Sequence, residues 1–319
     1  MSTRSPAVPS AVGSREIVTG ILLMVAATQL QPMMDTVAKW LGGQISPMQV
    51  AWGRVFFQTL FTLPIVIWLF GSAGMFPRPF GLQLLRGFFL ALMNVSFFFA
   101  ISVMPIADAL AVAFVAPLIV TALSGILLGE HVGPRRWVAV AIGLIGALII
   151  IRPGSGAFGW IGFLPLCTAF SFAGYLIVTR RLTTSARPME THFFTGLSCT
   201  LILTVPLLVG AGFDMPVIAP VMPTATQWGL LVVVGALSMA SHLCIVLAYS
   251  RAPASVLAPM TYLEIVGATT LGLLVFGDFP DGWTWVGVAV IISSGLYILL
   301  SERRGGVSPR PYGRRTAGR

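Results

Sequence analysis

Long apolar stretches, each cut by a short polar or Gly/Pro-rich turn, recur along nearly the whole chain. They fall at about 17–38, 47–69, 86–104, 108–129, 135–152, 159–180, 190–210, 227–249, 254–276 and 283–301. Each is close to the roughly 20 residues a helix needs to cross a bilayer. The turns at 71–78, 129–136, 152–156, 180–188, 214–223 and 278–282 carry charges and helix breakers. The pattern predicts an all-α integral membrane protein with ten transmembrane helices. Residues 1–16 are polar and rich in Pro and Ser. The run after them is too long for a signal-peptide core and lacks a clean cleavage site, so it reads as a retained first span.

Composition narrows the class. Of 319 residues, 56% are hydrophobic and only 9% charged, against about 25% in an average soluble protein. Mean hydropathy is +0.92. A soluble enzyme, a disordered chain and a fibrous chain are all disfavoured. Three cysteines, Cys167, Cys199 and Cys244, sit in apolar runs without motif spacing. They read as buried thiols rather than a disulfide framework or metal site. No metal and no cofactor is expected.

The net charge of +9 would suggest nucleic acid in a soluble protein. Here its placement matters more. With ten spans, 16 of the 19 basic residues fall on one side, including Arg78, Arg86, Arg135, Arg180, Arg251 and six arginines beyond residue 302. Only Lys39 and Arg152 fall on the other, and Arg54 lies within a span. The positive-inside rule then puts both termini in the cytoplasm. The expected location is the inner membrane, with lipid rather than nucleic acid around the protein. The tail at 304–319 reads as a basic cytoplasmic end.

The chain also repeats. Shifted by 148 residues, ten of the 42 positions from 100 to 141 are identical without a gap, including Pro105/Pro253, Gly129/Gly277 and Trp137/Trp285. Glu130 falls on the acid Asp278, and Pro47-Met48 matches Pro188-Met189. Two repeats, 17–153 and 157–303, are expected, joined at Pro153-Gly154-Ser155-Gly156. Five spans per repeat is an odd number, so the second repeat enters the membrane upside down. Such inverted repeats place a site near the midplane and work by alternating access.

These features resemble the drug/metabolite transporter superfamily, EamA type. The resemblance rests on Ile106-Ala107-Asp108-Ala109 with Pro117, on Leu127-Leu128-Gly129-Glu130 before Arg135, and on Gly143 and Gly146. In the second half it rests on Ala248-Tyr249-Ser250 with Pro253-Ala254-Ser255, Tyr262-Leu263-Glu264 and Gly277-Asp278. It spans about residues 16–303. Two positions depart from the family: Ile265 follows Glu264 where a proline is common, which removes the expected kink there, and Asp278 replaces a glutamate. The resemblance implies secondary transport or exchange of a small metabolite, often export of amino acids or related compounds.

Charge inside hydrocarbon costs about 2.5–3.5 kcal/mol per group on insertion scales and normally faces a cavity or a partner. Glu264 lies about ten residues into its span. It is a candidate proton carrier or partner for a substrate amine, with a structural ion pair as the alternative. Arg54, about two turns into the second span, is either a clamp for a substrate carboxylate or the counter-ion of Asp35 or Glu264. Asp35 and Lys39 are one turn apart. They form either a local pair with Lys39 snorkelling outward or an outer gate or substrate-binding pair. Gln58, Asn94, His242, Tyr262 and Trp52 are further cavity candidates, although polar groups in spans often only tie helices together. Asp108 and Ser255 are expected to cap the fourth and ninth spans, and Glu130 to pair with Arg135 and Arg136.

The expected function is secondary transport of a small-molecule substrate by export or exchange, with proton coupling and a homodimer left open. An intramembrane enzyme or a non-transporting receptor is the alternative. No HExxH, GxSxG or paired intramembrane aspartates support an enzyme. No Walker A sequence supports ATP-driven transport.

Overall fold

A computed structural model describes residues 14–71, 77–127, 129, 132–153, 159–182, 187–213, 215 and 218–304. Most of the N-terminal segment, residues 154–156 of the joint, Glu130 and the tail beyond residue 304 lie outside the described residues. The elements are α1 (Ser14–Gly42), α2 (Pro47–Phe70), α3 (Phe80–Ile101), α4 (Ile106–Ala113), α5 (Ala116–Leu127), α6 (Pro134–Ile151), α7 (Leu164–Leu182), α8 (Pro188–Gly212), α9 (Ala225–Tyr249), α10 (Ala254–Leu257), α11 (Leu263–Leu271) and α12 (Gly282–Arg304). Among the described residues, nine helical stretches are long and apolar enough to cross a membrane, and Gly282–Ile298 of α12 is a shorter apolar one. Ten helical spans result, as the apolar pattern predicts. No strand occurs among the described residues. Helices are the natural solution, because each satisfies its own backbone groups where no water can.

Two spans are not continuous helices. The fourth breaks at Phe114-Val115 into α4 and α5, just before Pro117. The ninth passes from α10 through a 3-10 segment, Ala258–Tyr262, into α11 and ends in a π-turn, Gly272–Phe276. Pro259 lies at the start of that 3-10 segment. The ninth span is therefore irregular although Glu264-Ile265 lacks the proline that would kink it. Phe114 and Tyr262 are equivalent under the 148-residue shift, and their rings meet at 5.3 Å. The broken spans of the two halves thus touch each other through matching positions. Both end at glycines in the left-handed region, Gly129 (φ +66°) and Gly277 (φ +73°), where any side chain would be strained.

The packing between halves has the same symmetry. α1 lies against α9, and its counterpart α7 lies against α3. α2 packs on α9 as α8 packs on α3; α2 meets α8, and α6 meets α12. α1 rests on α11 as α7 rests on α4 and α5. The fold is two inverted halves of five spans with their contact surface running through the middle. Apolar side chains also cover the outside: Trp68, Leu208, Val266 and Leu274 are all exposed, as a lipid-facing surface requires.

Several local expectations change. Asp108 does not cap α4: Pro105 holds the cap position, and one buried Asp108 carboxylate oxygen has no hydrogen-bond partner. The Ser255 side chain lies outside the described set. Cys167 is exposed rather than buried, and all three cysteines are free thiols. α3 begins at Phe80, six residues earlier than the apolar run suggests, which draws Arg86 into the helix.

Candidate functional site

Helix geometry gathers three charged side chains between the halves. Asp35 lies seven residues before the end of α1 and Arg54 seven residues into α2, each about 10 Å from the same membrane face at 1.5 Å per residue. Glu264 lies in the first turn of α11, immediately after the 3-10 break. Asp35 is only 3% exposed. Arg54 acts electrostatically on both Asp35 and Glu264, and the two acids act on each other. The sequence alone left Asp35 or Glu264 open as the counter-ion of Arg54; both lie within electrostatic range of it, and among the described residues it forms an ion pair with neither.

The contact between α1 and α11 is close enough to set this geometry. A Cβ on Gly267 would lie 2.6 Å from Gln29 Oε1 and 3.0 Å from Pro32 Cγ. Gln29 Nε2 donates to the Leu263 carbonyl at 3.1 Å. Glu264, the next residue, is therefore pinned to the helix that carries Asp35.

Arg54 is held by neutral groups. Its Nη1 donates to Asn94 Oδ1, and its Nε donates to Ser238 Oγ at 3.2 Å. Asn94 is anchored in turn by Nδ2 donating to the Leu90 carbonyl at 2.7 Å. Phe98 lies beneath the guanidinium, 5.8 Å from ring centroid to Cζ. No hydrogen bond from Nη2 to a described residue accompanies these. Two nitrogens thus fix the fork while the third is left for another acceptor.

A polar chain continues from there. Ser238 Oγ donates to Gln58 Oε1 at 2.7 Å, and Gln58 Nε2 lies 2.9 Å from His192 Nε2. With Oε1 accepting, the Gln58 amide nitrogen donates, which assigns the His192 ring proton to Nδ1. His192 stacks on His242 with centroids 3.7 Å apart. The chain crosses α3, α2, α9 and α8 and leads from the midplane toward the arginine-rich face. Its two ends, Asn94 and His242, are equivalent under the 148-residue shift.

The remaining candidates lie apart from this centre. Trp52 Nε1 donates to Thr204 Oγ1 at 2.9 Å and its ring stacks on Phe56, so it ties α2 to α8. Tyr262 packs on Phe114 at the helix breaks. Lys39 turns to Asp278, not to Asp35. Its Nζ is 2.7 Å from Asp278 Oδ2, donates to the Met104 carbonyl at 3.0 Å and lies over the Phe276 ring. A second pair, Arg152–Asp281 at 2.6 Å, occupies the same face. The Asp281 carboxyl is held below its usual range by the Thr284 backbone N–H and, to a lesser degree, by Arg152. Both pairs join the first half to the second.

Arg86 is the residue the sequence reading misplaced, since it counts there as a loop charge. It is 6% exposed. Its Nε donates to Thr179 Oγ1 at 2.7 Å, and Nη1 to Thr195 Oγ1 at 2.6 Å and the Thr191 carbonyl at 3.2 Å. Nη2 donates to the Tyr175 hydroxyl, whose ring also faces the guanidinium at 4.2 Å. His192 escaped notice as well. It falls one turn into its span, and only Gln58 and His242 across the fold give it meaning.

The EamA-like transporter family matches this chain twice, over residues 18–152 and 159–300. The chain belongs to that family. It is 30% identical to a riboflavin transporter of Rhizobium johnstonii, over 92% of this chain and 95% of that one. It is 26% identical to an S-adenosylmethionine uptake transporter of Rickettsia prowazekii (89% and 94% covered). It is 28% identical to a pseudopaline exporter of Pseudomonas aeruginosa (86% and 93% covered). A solved crystal structure at 18% identity shares the fold, with a TM-score of 0.60 over 92% of this chain and 99% of the other. The protein is a multi-pass membrane transporter of a small molecule, not an enzyme.

Proposed function

We propose that the protein is a secondary transporter that exports or exchanges a zwitterionic small metabolite, an amino acid or related compound, against protons. The observation that carries this reading is Arg54 fixed by Asn94 and Ser238, with one guanidinium nitrogen uncommitted among the described residues and with Asp35 and Glu264 within electrostatic range. That nitrogen receives the substrate carboxylate. Asp35 and Glu264 offer the amine a carboxylate partner, and Glu264 also carries the coupling proton. A carboxylate that holds an ammonium group cannot hold a proton at the same time, so substrate and proton replace one another. Binding by mutual displacement gives antiport. Asn94, Gln58 and His242 orient the fork and its hydrogen-bond chain, while Trp52 and Tyr262 serve packing between spans outside this centre.

The two halves, 17–153 and 157–303, rock about this site. The broken fourth and ninth spans provide irregular backbone at the depth where transporters of this architecture bind. Lys39–Asp278 is an outer gate that must part when the site opens to that face. By the positive-inside rule the arginine-rich face is cytoplasmic, both termini lie inside, and the membrane is the inner membrane.

The test is uptake and efflux in sealed vesicles with a pH gradient imposed in either sense. The panel is amino acids, S-adenosylmethionine and riboflavin. S-adenosylmethionine carries both an amine and a carboxylate; riboflavin carries neither. The expected result is that zwitterions move against a proton gradient. Movement of riboflavin alone, indifferent to pH, would contradict the reading.

A further inference from the structure

Where α6 and α12 cross, small residues bring the two backbones together. A Cβ on Gly146 would lie 2.9 Å from Ile291 Cγ1 and 3.1 Å from the Gly287 carbonyl, and one on Gly287 2.7 Å from the Gly146 carbonyl. Toward the arginine-rich face the same two helices line a groove of about 560 Å³, within the roughly 300–1,000 Å³ of small-molecule sites. The Ser294 hydroxyl donates to the Ala139 carbonyl between the two helices there. Val138 and Ile142 of α6 and Ala289 of α12 give the walls their apolar character. Arg135 and Tyr297 belong to its end at the arginine-rich face, and Ser293 adds a hydroxyl. From Arg135 to Ile142 is seven residues, about 10 Å of rise. The groove therefore runs from the membrane interface into one leaflet.

We propose that this groove binds one anionic phospholipid from the leaflet at the arginine-rich face. An acyl chain lies between α6 and α12, and the phosphate meets Arg135 with the Tyr297 hydroxyl beside it. Charge complementarity selects the occupant. The walls are apolar along the depth of the leaflet, and the single charged group in the lining is a cation at headgroup level. A guanidinium matches phosphate geometry, and basic residues at a membrane surface favour anionic lipid. The proposal does not depend on the substrate site, because no residue of the groove contacts Arg54, Asp35 or Glu264.

Native mass spectrometry of the full chain, purified in mild detergent and incubated with phosphatidylglycerol or phosphatidylcholine, tests it. The wild type should retain one phosphatidylglycerol in preference to phosphatidylcholine. Arg135→Gln should reduce that preference about fivefold, the share of one arginine near an anionic headgroup. Arg181→Gln, on the same face but outside the groove, should leave it unchanged. Ala289→Leu and Ser293→Leu fill the groove from exposed positions and should abolish retention of either lipid with the thermal unfolding temperature intact. Three results would overturn the proposal. They are equal retention of both lipids by the wild type, equal losses for Arg135→Gln and Arg181→Gln, or a protein dimer that the filled variants break while lipid retention persists.

Discussion

Among the described residues, Arg86 and Arg54 each lie six or seven residues inside a spanning helix, and they are held differently. Arg86 directs all three guanidinium nitrogens to hydroxyls and a carbonyl, with Tyr175 stacked on its face. No carboxylate is among those partners. Arg54 bonds two neutral side chains, feels two carboxylates, and keeps a nitrogen in reserve. The first is a pin that joins α3 to α7 and α8. The second, in the function proposed above, is a receptor held in shape. Depth within a span marks both as expensive, but donor inventory separates them: a saturated guanidinium fastens helices, while one with a nitrogen to spare fits the ligand role proposed for it.

The sharpest way to break the comparison is to remove each arginine in turn. Arg86→Ala should give the largest stability effect, about 3 kcal/mol or more, since hydrogen bonds to a charged group contribute roughly 1.5–3 kcal/mol and three buried hydroxyls lose a partner. Thermal unfolding in detergent and the yield of folded protein measure it. Arg54→Ala should leave folded yield near normal and cut substrate binding by about thirtyfold or more, the value of one charge-assisted contact. If Arg54→Ala unfolds the protein and Arg86→Ala spares it, the assignment is reversed.

The ion pairs at the opposite face sharpen the picture at lower amplitude. Asp278→Asn frees Lys39 from its cross-half partner and should bias the protein toward opening at that face. Faster thiol labelling of a cysteine placed beside Met104 would report this. The exchange Lys39→Asp with Asp278→Lys should restore the wild-type rate, and failure of the double variant to do so would remove the gate assignment. The smallest effect belongs to Asp281. Its folded-state carboxyl is held low, so the stability it contributes is present above the ordinary carboxylate value and is lost as pH falls through the lowered one. Asp281 is exposed, so solvent screening keeps the contribution small. Asp281→Asn should lower the unfolding temperature slightly near neutrality and leave it unchanged below that acidic window, so that the profile across the window flattens.

Much of the fold was legible because a bilayer makes sequence pattern blunt. Apolar length places the spans, and arginine placement orders them. The 148-residue shift foresaw two matching halves, though not that Phe114 and Tyr262, at matching positions, bring their rings together. Of the site, Glu264, Arg54 and Asp35 were visible as charges with nowhere else to go. Their shared location was not, because it depends on how α1, α2 and α11 pack, and spacing carries no such information across more than two hundred residues. Arg86 failed for a definite reason. A charge near the end of an apolar run reads as the loop that ends it, yet Arg86 lies on the helix and is satisfied by Thr179 and Tyr175 of α7 and by Thr191 and Thr195 of α8. His192 failed for the same cause: a lone histidine has no periodicity, and its partners come from other helices. Lys39 misled in the opposite way, since the neighbour four residues back is the obvious partner and Asp278, far along the chain, is the one it takes.

The central claim is that the Asp35–Arg54–Glu264 centre binds substrate and proton in turn. The most direct test compares wild type and Glu264→Gln in proteoliposomes that transport an identified zwitterionic substrate. Gradient-driven accumulation and substrate counterflow at equal pH are measured on the same preparation. The predicted result is that Glu264→Gln loses accumulation driven by the pH gradient and the pH dependence of transport, while counterflow continues. Accumulation with the wild-type pH profile in Glu264→Gln would contradict it.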